Sequence, residues 1–100
     1  MPRKVELSDK YTLDRGRVFL SGTQALTRVL LSQRRSDAAQ GLNTGGFVSG
    51  YRGSPLGSLD TALWSARDAL KDEGIVFQPG VNEELAATAV YGSQQLGFFP

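Results

Sequence analysis

Apolar positions in this chain switch period several times, and each switch marks an element boundary. Arg17–Val18–Phe19–Leu20 reads as a short strand or extended segment. Ser21 then opens Ser-x-x-Gln with Gln24, a capping-box pattern that satisfies two orphan amides at a helix start. Leu26, Val29, Leu30 and Gln33 follow at a spacing that puts them on one helical face, and Arg28, Arg34 and Arg35 read as its wet side. Gly41 is the expected stop, with Asn43 and Gly45–Gly46 turning the chain. Phe47–Tyr51 is the clearest strand. After it Ser58 is the expected N-cap of a helix whose stripe is Leu59, Leu63, Ala66 and Leu70, ended by Gly74. Ile75–Val76–Phe77 is a compact strand, Pro79–Gly80 make a turn, and Asn82 is a strong N-cap for a last helix. Residues 1–13 carry mixed charge and no sustained period, so they read as a flexible or loosely docked arm.

Strands near residues 17–20, 46–51 and 75–78 alternating with helices predict an α/β fold with a parallel sheet, because a helix-length crossover joins parallel neighbours. Ligands of such sheets bind in loops beyond the carboxyl ends of the strands. Two loops qualify, Gly50–Gly57 and Gln78–Glu84. One offers glycines, the Ser54 hydroxyl and bare amides; the other offers carboxylates at a helix start.

Composition narrows the chemistry. Neither cysteine nor histidine occurs, which removes zinc fingers, iron–sulfur ligation, disulfides and Cys- or His-based catalysis within the 100 residues. A formal net charge of +1 gives no electrostatic reason to expect nucleic acid or an anionic membrane. No apolar run approaches a membrane span and the start lacks a signal-peptide core, so a cytoplasmic protein is the expectation. Gly97–Phe98–Phe99–Pro100 is an odd, apolar ending for a soluble domain, from which we expect a piece of a longer polypeptide.

The loops fail the common nucleotide signatures. Gly53 to Gly57 is one residue short of a phosphate loop, and Ser58 stands where its Lys belongs. The glycine spacing also misses the dinucleotide fingerprint. Ser54 has neither the flanking glycines of a nucleophile elbow nor a histidine partner; it is a hydrogen-bonding group or an ordinary turn serine. Glu83 and Glu84 either complement the macrodipole of their helix or serve a ligand at the loop mouth. Trp64 and Tyr91, inside helices, read as packing residues.

Gly50–Tyr51–Arg52–Gly53–Ser54–Pro55 resembles the G-Y-P-x-T-P loop of the 2-oxoacid:ferredoxin oxidoreductases, and Asn82–Glu83–Glu84–Leu85–Ala86 resembles their N-E-x-x-A helix start. Leu20–Leu26 stands where that family has its first G-N-x-A-like helix. The likeness is nearest to the fused bacterial indolepyruvate ferredoxin oxidoreductases. It runs from Tyr11–Thr12–Leu13–Asp14–Arg15–Gly16 through the glycine loop to Phe77–Gln78–Pro79–Gly80–Val81–Asn82–Glu83, in order and spacing.

The resemblance implies the front part of a thiamine diphosphate-binding, pyrimidine-type domain, a doubly wound parallel α/β sheet over residues 14–100 truncated at its C-terminal end. It implies oxidative decarboxylation of an aryl 2-oxo acid such as indolepyruvate to an acyl-CoA, with reduction of ferredoxin. Another 2-oxo acid, or a non-catalytic α/β module for subunit contacts, is the alternative. By the same likeness Glu83 is the glutamate that bonds the cofactor's aminopyrimidine ring and carries its proton relay. Gly53 and Pro55 lie beside the cofactor, and Ser54 stands where relatives carry a substrate-contacting Thr. Arg52 replaces the family's common Pro, and either offers a cation to the substrate carboxylate or is merely solvated. Glu84 lies about 100° farther round the helix, so only one of the pair can point at the ring. Magnesium, the 4Fe-4S clusters and the diphosphate site are implied to come from outside this chain, whose residues offer no metal ligand set. Coenzyme A, ferredoxin, the remaining domains and a second copy in a homodimer are the implied partners.

Overall fold

The structure is a computed structural model that describes residues 4–53 and 55–95. Its elements are α1 (Asp9–Thr12), α2 (Gly22–Ala39), β1 (Gly46–Val48), α3 (Gly57–Ser65), α4 (Arg67–Asp72), β2 (Ile75–Phe77) and α5 (Glu83–Ser93). Strands β1 and β2 pair in parallel, Gly46 opposite Ile75, Phe47 opposite Val76 and Val48 opposite Phe77. The pairing runs past the strand ends: Gln78 N donates to Val48 O at 2.9 Å and Gly80 N to Gly50 O at 2.7 Å. The loops after both strands therefore leave the sheet side by side. Helices α3 and α4 form the crossover that lets two parallel strands be neighbours.

Helix α2 begins as its sequence directs. Ser21 Oγ accepts from Gln24 N, and Gln24 Oε1 accepts from Ser21 N at 2.9 Å, so the capping box is complete. Gly41, at φ +80°, and Gly74, at φ +70°, hold the left-handed conformation that ends the helices before each strand. The stripe on α3 and α4 is also found: Leu63, Ala66 and Leu70 are buried with Ile75, Leu31 and Tyr11, and Leu59 packs against them.

Four local expectations are corrected. Arg17–Leu20 joins no strand pairing, and Phe19 is 98% exposed. The segment had an extended pattern but no neighbouring strand to bond to. The buried face of α2 is not Leu26, Val29 and Gln33. Thr27 and Leu31 are fully buried, whereas Leu26 and Val29 are 52% and 60% exposed. The helix has apolar residues on two faces, and the chosen one turns Arg28 and Arg35 onto α1. Arg28 donates to Lys10 O at 2.8 Å and Leu13 O at 2.7 Å, and Arg35 donates to Tyr11 O. These are half-buried donors to carbonyls in and just beyond α1, not a wet face.

Part of the arm is accordingly docked, with Tyr11 buried in the core. The helix after β1 starts one residue before Ser58, with Leu56 as N-cap. Leu59 N bonds Leu56 O at 2.9 Å, so a backbone turn nucleates it without a side-chain cap. It breaks once, at Ala66, where ψ opens to 6°. Phe98–Phe99 lies outside the described residues.

The layer is thin, with extents of 51 × 36 × 17 Å. Ile75 is buried against the helices, while Val76, pointing to the other face of the sheet, is 54% exposed.

Candidate functional site

Two backbone devices set the site. Parallel pairing delivers the Gly50 and Gly80 loops to the same end of the sheet, and the Gly80–Gly50 bond ties them together. Asn82 then starts α5 immediately beyond: its extended backbone turns the chain, and its side-chain oxygen accepts from Leu85 N at 2.8 Å. Gly80 is needed for this approach. A Cβ there would stand 2.8 Å from Ala86 Cβ and 3.2 Å from Ala86 Cα. Ala86 is the buried residue of α5, so the turn and the helix interlock at a point where only hydrogen fits.

Glu83 is therefore the first helical residue, exposed at the mouth between the loops. The nearby Glu83 carboxylate, first as a hydrogen-bond acceptor and next through its charge, and desolvation last push the Tyr51 phenol above its ordinary value. The Tyr51 ring lies over Gly53, where an added Cβ would meet Cε2 at 2.6 Å and Cδ2 and Cζ at 3.3 Å. Gly53 is thus a clearance for that ring. Pro55 is an exposed residue of the turn that leads into α3, and Ser54 lies outside the described residues.

Arg52 is 79% exposed and its Nε donates to Asp60 Oδ2 at 3.2 Å; the Asp60 side chain is only 7% exposed. The loop is thereby anchored to the first turn of α3 at Asp60. Gly57 supports the same fit, since a Cβ there would come within 2.9 Å of Arg52 O. Glu84 is exposed one helical step from Glu83.

The structure brings Arg52, Gly53 and Tyr51 together in one loop and Tyr51 together with Glu83 across two. Tyr51 and Asp60 are the residues that sequence reasoning missed. The signal for Asp60 was its charge eight positions after Arg52. For Tyr51 it was the place next to Gly50, where a strand ends.

Trp64 packs edge-to-face on Phe77 at 5.4 Å, as a packing residue should, whereas Tyr91 is 70% exposed. A cleft of about 540 Å³ lies elsewhere, between α1, α2, α3 and the start of α4. Three of its hydroxyls serve the helices: Ser21 caps α2, Thr12 Oγ1 donates to Ser8 O and Ser65 Oγ to Thr61 O.

Among the described residues no group of three or more His, Cys, Asp or Glu could hold a metal ion, and no helix is long and apolar enough to cross a membrane. The chain matches no family model, no curated protein and no solved structure.

Proposed function

We propose that this chain is the front of the pyrimidine-binding part of a thiamine diphosphate-dependent 2-oxoacid:ferredoxin oxidoreductase acting on aryl 2-oxo acids such as indolepyruvate. The observation that carries the reading is the exposed Glu83 carboxylate, set at the start of α5 beside the glycine loop at the carboxyl end of two parallel strands.

The donor set suits one end of the cofactor. Glu83 would hold the aminopyrimidine ring, with Gly53 and Pro55 of the glycine loop beside it and Arg52 available to a substrate carboxylate. The diphosphate and its metal would be held outside the described residues, which offer no cluster of hard oxygen ligands. When bound, the cofactor supplies carbanion stabilisation at its thiazolium carbon. The chain's own part is to orient the ring and hold or pass a proton at the Glu83 carboxyl oxygen. Exposed Val76, Leu85 and Tyr91 provide apolar surface for the domains that would complete the site and the doubly wound sheet.

The test is turnover by the enzyme that contains this chain. With indolepyruvate, coenzyme A and thiamine diphosphate–magnesium, it should release carbon dioxide and reduce ferredoxin. Turnover of pyruvate with indolepyruvate inert would move the substrate class. Failure with every 2-oxo acid would favour the contact-module alternative.

A further inference from the structure

Helix α2 carries three arginines, and the structure spends them unequally. Arg28 gives both Nη atoms to the carbonyls of Lys10 and Leu13, and Arg35 gives Nη2 to Tyr11 O. Arg35 Nε also stands 4.0 Å from Glu73 Oε1, a loose ion pair. Three donors are left over. Arg34 Nε, Arg34 Nη1 and Arg35 Nη1 are shielded from solvent yet have no hydrogen-bond partner among the described residues. A shielded donor left unbonded costs its full desolvation, and more when it is charged. Native structures keep few such groups, so three on two adjacent side chains call for an acceptor.

Both side chains line a cleft of about 650 Å³, which Ser32 and Ser36 line as well. Ala39 at the end of α2 and Glu73 just before β2 also border it. Those segments feed the amino ends of the strands, so the cleft is separate from the loop mouth at their carboxyl ends. Two plainer accounts of the arginines fall short. Cations complement a helix macrodipole in the last turn, and the last turn of α2 holds no basic residue. Carboxylates are also near, but Asp37 is taken up by Thr44 and Gln33, and neither Asp14 nor Glu73 bonds one of the three orphaned atoms.

We propose that this cleft is a binding site for a phosphate group, with Arg34 donating from Nε and Nη1 and Arg35 from Nη1. One hydrogen on Nε and two on each Nη exceed the roughly four acceptor sites of a single carboxylate. A phosphate brings three strong acceptor oxygens and a larger charge, which guanidinium groups match well. Arg28, held on the carbonyls at α1, adds positive charge to the wall without having to move. The site makes no use of Glu83 or the glycine loop, so it stands or falls independently of the thiamine diphosphate reading.

The arginine Nε–Hε signals of the 100-residue chain report on it by NMR. Sodium phosphate is titrated in at neutral pH, with sodium chloride holding the ionic strength constant. The Arg34 and Arg35 signals should shift and saturate, while Arg52, paired with Asp60 outside the cleft, stays in place. Sodium acetate should bind about tenfold more weakly, and Arg34→Gln should weaken phosphate about tenfold, the scale of one hydrogen bond to a charged group. If Arg34→Gln loses its native circular dichroism, Arg34→Lys decides: it keeps the charge without the planar donors and should still bind phosphate several-fold more weakly. Glycerol 3-phosphate separates the sources, since tighter binding than inorganic phosphate supports an esterified ligand and weaker binding supports free phosphate as the occupant. No saturable shift, an equal shift of every arginine, acetate binding as tightly as phosphate, or unchanged affinity in the folded variant overturns the proposal.

Discussion

Replacing Gly80 by alanine tests how the site is held. The new Cβ would lie 2.8 Å from Ala86 Cβ, 3.2 Å from its Cα and 3.3 Å from its N. Carbon atoms prefer roughly 3.5–4.0 Å, so the contact must open by about 1 Å. Ala86 is buried and two of the three atoms are backbone, so no side-chain rotation relieves the clash. The turn cannot retreat freely either, because Gly80 N is bonded to Gly50 O. Overpacking of this kind costs about 1–3 kcal/mol. Against it stands a gain of about 0.4–1 kcal/mol from stiffening the unfolded chain. The clash wins.

Gly92→Ala is the control, in the same helix but with nothing within 4 Å of the added Cβ. It should gain about 0.5–1 kcal/mol, the usual helix-interior difference. Urea unfolding followed by far-ultraviolet circular dichroism should therefore rank Gly92→Ala above wild type and Gly80→Ala below it. At roughly 4–8 °C per kcal/mol for a domain of this size, the two variants should be separated by about 5–20 °C in Tm. Equal stability of the two would mean that α5 does not close on the turn as described, and the placement of Glu83 would fall with it.

Other outcomes follow from the same packing. Leu31→Ala empties a fully buried position between the helices and should cost about 2–5 kcal/mol in urea unfolding, whereas Leu26→Ala, half exposed on the same helix, should cost under about 1 kcal/mol. Asn82→Ala removes the acceptor of Leu85 N and should cost about 0.5–2 kcal/mol, with the Tyr51 titration shifting down as the start of α5 frays. Thr44, then Gln33, hydrogen-bond the Asp37 carboxylate and hold it below the ordinary value of 3.8. A lowered folded-state value means that its contribution is present above the unfolded value and is lost as pH falls through 3.8 and then through the lowered value. Asp37→Asn should flatten that acid limb of stability against pH, and an unchanged limb would refute the assignment.

The parts legible in the sequence are those written in neighbouring residues. The Ser21–Gln24 box, the stops at Gly41 and Gly74, the Leu63–Ala66–Leu70 stripe and the Asn82 cap each depend on contacts within a few positions. What was not legible depended on distant partners. Arg17–Leu20 has the residues of a strand but no strand beside it. Helix α2 has two faces that could be buried, and the choice rests on where α3 and the carbonyls in and after α1 lie. The Gly50–Gly57 loop was legible as a loop from its glycines, but not the reason for Gly53, which is the ring of Tyr51. Glu83 follows by register from Asn82 as cap, but its influence on the Tyr51 phenol crosses 32 positions and leaves no local trace.

The proposed cofactor role assigns Glu83, and not Glu84, to the aminopyrimidine ring. In the assembled enzyme, thiazolium-proton exchange measured by NMR should fall at least roughly 10²-fold in Glu83→Gln, the scale of losing a general acid–base partner, because glutamine keeps the size and cannot share the proton. Glu84→Gln, one helical step round, should exchange near the wild-type rate. A collapse in Glu84→Gln with Glu83→Gln intact, or no loss in either, would contradict the assignment.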